Sequence, residues 1–444
     1  MIRVLRVLLL VAVLTLAGAA PAAAHNVTAG ADLRIAQTIA GAELTIVIKG
    51  TTRVPGPLRI GVIAFGPVTD LPVGLEVRSV ADGRTVTGVA RAARDPQYVQ
   101  LKVDATGPHE LTLRAGNEVA VLPFRVLVDR GSAGELLIYG GLLVAALLLV
   151  GGLLTGALAR PGPAMLLAGG AAVGLTVAAM VVVFEPMLPA APPDGAAPTV
   201  AATAGTTVGA AAGAQTGGRP FTQGRVATVP ARPASGAEFT LRFDLIDGST
   251  GRPVDDLVLH HEALAHVVVT SEDGRFFRHV HPLRTAPGRL EVRMRTDRPG
   301  RYLAYAELER EDSGGQLVTG SFNVGDPVAS DTSVPSDAAE TPVEAAAPLL
   351  RPAAPVAGRP TTIELGTSGT VRPWLGMTGH LIVRSQDGTF LGHIHEMGSP
   401  GPRLSFTFSF PSAGRYFAWA QYATTDRIVT MPFTVDVTAS GSPS

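Results

Sequence analysis

Two segments of the 444-residue chain repeat each other at an offset of 114 positions, the separation of His266 from His380. Residues 266–281 read HVVVTSEDGRFFRHVH and residues 380–395 read HLIVRSQDGTFLGHIH, without a gap. The same offset places residues 299–302, PGRY, on residues 413–416, AGRY. Because apolar residues, turn residues and histidines recur at the same spacing, we expect both segments to fold in the same way.

Alternating apolar and polar residues, interrupted by Gly, Pro and Asp-Gly, run through both repeats and through residues 26–128. Short alternating strands with frequent turn signals are typical of β-sandwiches of about 100 residues. The sequence predicts all-β extracytoplasmic domains, namely three immunoglobulin-like β-sandwiches at residues 25–130, 220–326 and 349–438. The first sandwich lacks the histidine hairpin. Segments rich in Ala, Pro and Gly predict linkers at residues 185–219 and 327–348.

Three apolar segments predict how the chain meets a membrane. Residues 1–24 have the basic start, apolar run and small-residue end of a signal peptide. Residues 136–184 hold two apolar runs, each long enough to cross a ~30 Å hydrocarbon layer, and their Gly and Ala content favours a close-packed transmembrane hairpin. The loop between the runs holds Arg160 and no acid, which favours the cytoplasmic side. We therefore expect a multi-pass protein of the cell membrane with its soluble domains outside the cytoplasm.

The composition excludes several classes of chemistry. The chain has no cysteine, so thiolate metal sites, iron–sulfur clusters, disulfides and Cys nucleophiles are excluded. Its formal net charge is −1, which argues against nucleic acid as a partner. Walker, nucleophile-elbow and zinc-protease motifs are absent from the sequence, so we expect no enzyme. A metal would have to be bound by His, Met, carboxylate or the chain's N-terminus.

Each repeat predicts a histidine-bearing β-hairpin. Asp273-Gly274 and Asp387-Gly388 are strong signals for a two-residue turn. This turn would place His266 opposite His281, and His279 on the same face, because residues two apart on a strand point the same way. Directly opposed Cβ atoms lie ~4.5–5.5 Å apart, which lets imidazoles meet at one ion. The predicted metal ligands are His266, His279 and His281, and in the second copy His380, His393 and His395.

Three neutral imidazoles suit Cu(II), Zn(II) or Ni(II), and the order of affinities favours copper. Metal binding needs deprotonated imidazole, so occupancy is expected to fall as the pH drops through about 6.5. Further donors lie near the triads, and a thioether among them would favour Cu(I). These are His260, His261, Met377 and Met397. If the signal peptide ends at Ala24, His25 would add an α-amino nitrogen and an imidazole at the mature N-terminus.

Residues 264–282 lead from an apolar His-bearing strand through Ser-x-Asp to Phe-x-His-x-His-Pro, and Gly300-Arg301-Tyr302 follows. This pattern resembles the YtkA-like and copper-handling group of secreted bacterial β-sandwich domains, and a leading His25 is similar to the start of CopC-like copper carriers. The resemblance covers about 100 residues in each copy and implies a role in handling copper. The second copy departs from the pattern in having Glu396 in place of Pro.

The sequence thus predicts a membrane-anchored, extracytoplasmic protein that binds a transition metal, copper or alternatively zinc. Sequestration, sensing or handover to a membrane metal transporter or another surface protein would be its role. The alternative is a non-enzymatic cell-surface interaction or adhesion protein. In that case the immunoglobulin-like modules contact a protein or glycan, and the histidines merely pack.

Overall fold

The computed structural model describes residues 26–27, 32–66, 71–129, 133–184, 193–196, 221–311, 313–326, 348–396, 398 and 400–440. The predicted signal peptide, His25, Met397 and most of both predicted linkers lie outside the described residues.

Domain 1, within residues 26–129, is a sandwich of two sheets with alternating buried and exposed side chains. One sheet has the order β2-β3-β4-β7, formed by Asp32–Ile39, Ala42–Lys49, Gly56–Ala64 and Val99–Val103. The other has the order β1-β9-β8-β5-β6, formed by Asn26–Val27, Glu118–Val126, Gly107–Ala115, Pro72–Ser79 and Thr85–Arg91. In β8 every second residue is buried, as expected where one face of a strand meets the core.

Two helices follow domain 1: α1, Ala133–Leu154, and α2, Pro161–Phe184. The segments Glu135–Leu154 and Pro161–Phe184 are long and apolar enough to cross a membrane. A Cβ atom on Gly141 would lie 2.5 Å from the carbonyl oxygen of Gly174, so the two backbones touch there. This close contact confirms the predicted close-packed hairpin, because only small residues allow such an approach.

Domain 2, within residues 221–326, contains the first histidine repeat. Its first sheet has the order β10-β11-β16-β15, formed by Thr222–Val229, Glu238–Asp247, Arg289–Arg295 and Leu283–Ala286. Its second sheet has the order β12-β17-β13-β14, with β18 also paired to β17. These strands are Leu257–Val258, Gly300–Arg310, Ala265–Ser271, Phe277–Val280 and Gly314–Val324.

Domain 3, within residues 348–440, repeats this architecture. One sheet has the order β19-β20-β24, formed by Leu349–Arg351, Pro360–Gly366 and Arg403–Ser409. The other has the order β21-β25-β22-β23, with β26 on β25, formed by Val371–Arg372, Gly414–Thr424, Gly379–Ser385, Leu391–Glu396 and Ile428–Val437. The chain is therefore three β-sandwiches with an apolar helical hairpin, as the fold class predicted.

Strand pairing in both hairpins follows the predicted register. In domain 2, β13 and β14 place Val268 opposite His279. In domain 3, β22 and β23 place His380 opposite His395. Neither ladder contains a bulge, so each strand keeps its histidines on one face. The domain 2 ladder ends at Val267 opposite Val280, one step short of the predicted pair of His266 and His281.

Domains 2 and 3 pack against each other around an approximate two-fold axis. Thr270 and Arg384 are equivalent positions of the repeat, and Arg384 donates a hydrogen bond to Thr270 Oγ1 at 2.8 Å. The apolar part of the interface consists of four equivalent pairs: Val268 and Ile382, Leu303 and Phe417, Tyr305 and Trp419, and Phe277 and Leu391. Because equivalent residues meet, each domain contributes the same face to the interface.

Domain 1 docks on the same junction through backbone and side-chain contacts. Ala36 N donates to the carbonyl oxygen of Glu262 at 2.6 Å, and Thr38 N donates to that of His281 at 2.8 Å. The ring centre of Phe65 lies 6.5 Å from that of Trp374 in domain 3. All three sandwiches therefore meet beside the histidine hairpins.

Candidate metal centre

The first triad forms where β13 and β14 bring three imidazoles together. His266 Nδ1 lies 3.1 Å from His279 Nε2 and 3.2 Å from His281 Nε2. All three residues are buried, and one donor atom of each lies within 4.8 Å of the others. Two nitrogens bound to one tetrahedral ion by bonds of ~2.0–2.1 Å lie about 3.3 Å apart. The observed spacing therefore matches that of ligands around a single ion.

The hydrogen bonds of this triad fix where the imidazole protons lie. Each ring points its outer nitrogen at an oxygen: His266 Nε2 at the His260 carbonyl (3.0 Å), His279 Nδ1 at Gln421 Oε1 (3.0 Å) and His281 Nδ1 at Glu43 Oε1 (2.5 Å). The His260 carbonyl and Gln421 Oε1 can only accept, so in neutral His266 and His279 the single N–H lies on the outer nitrogen, and their inner nitrogens present lone pairs to each other. A cation bound between the inner nitrogens relieves the repulsion between these lone pairs.

The second triad has the same design in domain 3. His380 Nδ1 lies 3.3 Å from His393 Nε2, and His393 Nδ1 donates to Glu307 Oε2 at 2.8 Å. His395 Nε2 is buried and has no hydrogen-bond partner among the described residues. One donor atom from each of these three histidines lies within 4.8 Å of the others. The His393 side chain is buried, whereas His395 is half-buried. The second triad is thus the more accessible of the two.

Burial favours the neutral form of five triad histidines. Desolvation, strengthened by the neighbouring imidazoles, holds the pKa of four histidines well below 6.5: His266, His279, His380 and His393. Desolvation lowers the pKa of His395 to about 3 and that of His261 to about 4. Neutral imidazole is the form that binds metal, so protons begin to compete at a lower pH than the expected value near 6.5.

The two triads lie next to each other across the interface between domains 2 and 3. The ring centre of His393 is 5.3 Å from that of His266 and 5.1 Å from that of His279. The ring centres of His279 and His380 are 5.8 Å apart. The sequence left open whether the two sites act separately or face each other, and the structure places them face to face.

The further donors proposed from the sequence fall in different places. The His261 ring centre lies 4.1 Å from that of His395, which brings a residue of domain 2 to the triad of domain 3. His260 Nδ1 instead pairs with Glu309 at 2.8 Å, and the residue faces the first triad through its carbonyl oxygen. Met377 is buried and pairs through its backbone with Trp374. Met397 and His25 lie outside the described residues.

Sequence reasoning missed the residues that hold the outer nitrogens. Glu307 and Gln421 occupy equivalent positions on the central strands β17 and β25, where a polar side chain within an apolar strand could have been noticed. Glu43 belongs to domain 1, and nothing in the sequence ties it to His281. Trp374, whose ring centre lies 4.8 Å from that of His380, was also missed.

Comparison with known proteins adds little about chemistry. Residues 222–326 and 351–439 match a family model described as a domain of unknown function, DUF8832. This match covers domains 2 and 3, the two that carry the triads. No curated protein matches the chain.

Comparison with solved structures gives three similar chains, each of low sequence identity. One is a tetra-tandem repeat in the extending region of a large adhesion protein, with 10% identity over 87% of this chain and 72% of that chain, at a TM-score of 0.17. The FN1–FN3 domains of chicken CNTN1 have 7% identity over 88% and 97%, at a TM-score of 0.18. Red sea bream transglutaminase has 13% identity over 48% and 31%, at a TM-score of 0.16. Scores this low carry no argument about function.

Proposed function

We propose that the protein is a membrane-anchored, extracytoplasmic binder of a transition metal. The observation that carries this proposal is the convergence of three buried imidazole nitrogens in the first triad, with N···N distances of 3.1 and 3.2 Å around His266 Nδ1. Opposed lone pairs in a buried site repel one another, and a bound cation turns that repulsion into coordination. The second triad repeats the arrangement at His380 and His393.

Copper is the metal we propose, with zinc as the alternative. The sites offer imidazole and no thiolate, and among divalent ions an imidazole site binds copper most tightly. Complete burial of the first triad suits sequestration, sensing or handover better than catalysis, because a catalytic metal keeps a coordination position open to substrate. In a handover, a membrane metal transporter or another surface protein would receive the ion.

The membrane hairpin, the domain contacts and the charge of the loop support a position outside the cytoplasm. Domain 1 precedes the hairpin, and domain 2 follows it. The hydrogen bonds between Thr38 and His281 join these two domains, so both lie on the same side of any membrane that the hairpin crosses. Arg160 in the short loop between the helices favours the cytoplasm for the opposite side.

Metal titration of the full chain in lipid nanodiscs tests the proposal. We expect stoichiometric binding of Cu(II) and Zn(II), and loss of that binding in a His279→Ala/His393→Ala double variant. His109→Gln is the matched control, because His109 is buried in domain 1 and bonds to the Gly107 carbonyl at 3.0 Å, away from both triads. Absence of stoichiometric binding, or binding unchanged in the double variant, would overturn the proposal.

The second candidate is a cell-surface interaction or adhesion protein in which the histidines join the domains without a metal. It is favoured by the oxygen partners of the histidines, since His279 and His393 each bond to a residue of the opposite domain. In this case, metal would leave the melting temperature of the full chain unchanged.

A further inference from the structure

We propose that the two triads form one two-ion centre, and that the carboxylate serving each triad comes from another domain. Glu43 of domain 1 bonds to His281 of domain 2, and Glu307 of domain 2 bonds to His393 of domain 3. The inference rests on the proposed metal-binding function and adds that the ions bind as an interdependent pair, with Glu43 and Glu307 as positioning residues.

The two domains exchange the side chains that orient their ligands. Glu307 and Gln421 are equivalent positions of the repeat, and each bonds across the interface to the equivalent histidine of the opposite domain. Glu307 Oε2 lies 2.8 Å from His393 Nδ1, and Gln421 Oε1 lies 3.0 Å from His279 Nδ1. A partner on the outer nitrogen fixes the tautomer and orientation of a ligating histidine. Neither triad is therefore held by its own domain alone.

The two side chains that the domains exchange differ in charge, and domain 1 supplies a second carboxylate. Glu307 gives a carboxylate to the second triad, whereas Gln421 gives the first triad only a neutral amide. Glu43 Oε1 lies 2.5 Å from His281 Nδ1 and supplies the missing carboxylate. A buried ion needs compensating charge nearby, and a carboxylate behind a ligand raises the basicity of that ligand. Each triad thus has one carboxylate in this role.

The two ions would repel each other electrostatically, because only the imidazole rings separate them. Bonds of ~2.0–2.1 Å place an ion about 3 Å from the ring centre of its ligand. Opposite rings approach to 5.1 Å between His279 and His393. Two bound ions therefore lie no more than about 12 Å apart. At that separation in a protein interior, the charge of the first ion disfavours the second, so we expect two unequal binding steps.

Isosteric substitutions in the full chain, titrated with Cu(II) in lipid nanodiscs, separate the parts of this proposal. Glu43→Gln should lower the affinity for one of the two ions about 10- to 100-fold, and Glu307→Gln should lower the affinity for the other ion. Each variant loses the negative charge behind one ligating histidine. Gln421→Glu should tighten the ion of the first triad by adding a carboxylate behind His279. Glu309→Gln is the matched control: Glu309 lies on the same strand as Glu307 but pairs with His260 rather than with a triad residue.

Electron paramagnetic resonance of the Cu(II)-loaded protein gives a second readout, one that a purely structural role would not change. We expect spin coupling between two ions in the unmodified chain, and an uncoupled signal when His393→Ala removes the second triad. Two equal, uncoupled ions would overturn the two-ion centre and leave the proposed function in place. Equal weakening of both ions by Glu43→Gln would overturn the assignment of one carboxylate to each triad. Failure of the unmodified chain to bind metal would overturn both proposals.

Discussion

His266 and His393 belong to different domains, yet their ring centres lie 5.3 Å apart in the interface between domains 2 and 3. This proximity follows from the way in which the two repeats pack. Each repeat presents the same face of its histidine hairpin, and the approximate two-fold axis passes near Thr270 and Arg384. Duplication of one hairpin therefore produces two sites whose imidazole rings contact each other.

Bound metal should stabilise the full chain against heat. An ion that binds only the folded protein adds about 2.7 kcal/mol to the free energy of unfolding when its concentration is 100 times its dissociation constant. Saturating Zn(II) should raise the melting temperature in differential scanning calorimetry, and a chelator should reverse the rise. The His279→Ala/His393→Ala variant should show no rise. An equal rise in that variant would place the bound ions elsewhere.

Acid should destabilise the metal-free protein at a milder pH than carboxylate protonation alone would require. In the folded state the pKa values of His266, His279, His380 and His393 lie well below 6.5, and that of His395 is about 3. The unfolded chain takes up protons at these histidines near pH ~6.5, whereas the folded chain does not. The stabilising contribution of neutral histidine is therefore present above pH ~6.5 and is lost as the pH falls toward the folded-state values.

Chemical denaturation of the metal-free chain between pH 8 and pH 5 measures this effect. The free energy of unfolding should fall with decreasing pH below ~6.5, by up to about 1.4 kcal/mol per pH unit for each histidine involved. His393→Ala should reduce the slope, because it removes one of the histidines with a lowered pKa. A free energy of unfolding that stays constant over this range would contradict the buried, neutral state of the triads.

The register of each hairpin could be predicted from the sequence, and the assembly of the hairpins could not. Asp-Gly turns fix strand pairing locally, and a two-residue period then places His380, His393 and His395 together. The residues that bond to the outer imidazole nitrogens depend on docking between domains. The 114-residue offset makes Glu307 and Gln421 equivalent, but it does not show that each bonds to a histidine of the opposite domain. The role of Glu43 could not be predicted from the sequence, because it depends on the contact between domains 1 and 2.

The Asp-Gly turns should couple interface packing to metal binding. A Cβ atom on Gly388 would clash with the Leu303 side chain of domain 2, and Gly388 has a φ of 77°. Gly83 has a φ of 72° with nothing within 4 Å of such an atom, so Gly83→Ala reports the conformational cost alone, roughly 1–2 kcal/mol. Gly388→Ala should cost about 1 kcal/mol more, because the atom that it meets is the end of the flexible Leu303 side chain, and should lower the affinity for both ions.

Denaturation and Cu(II) titration of the two glycine variants check this expectation. If Gly388→Ala lowers stability no more than Gly83→Ala does, the contact between the domains contributes little. If it lowers stability but leaves both metal affinities unchanged, the triads do not depend on the packing of domain 3 against domain 2.

The absence of cysteine from the sequence makes the membrane topology directly measurable. A single cysteine at Ser249 in domain 2 should react with an impermeant maleimide on intact cells, because both β-rich parts are proposed to lie outside the cytoplasm. A cysteine at Gly162, at the start of α2 beside Arg160, should react only after the membrane is opened. Both positions are exposed in the fold, so burial does not account for a difference between them. Reaction at Gly162→Cys but not at Ser249→Cys on intact cells would reverse the orientation and place the histidine triads in the cytoplasm.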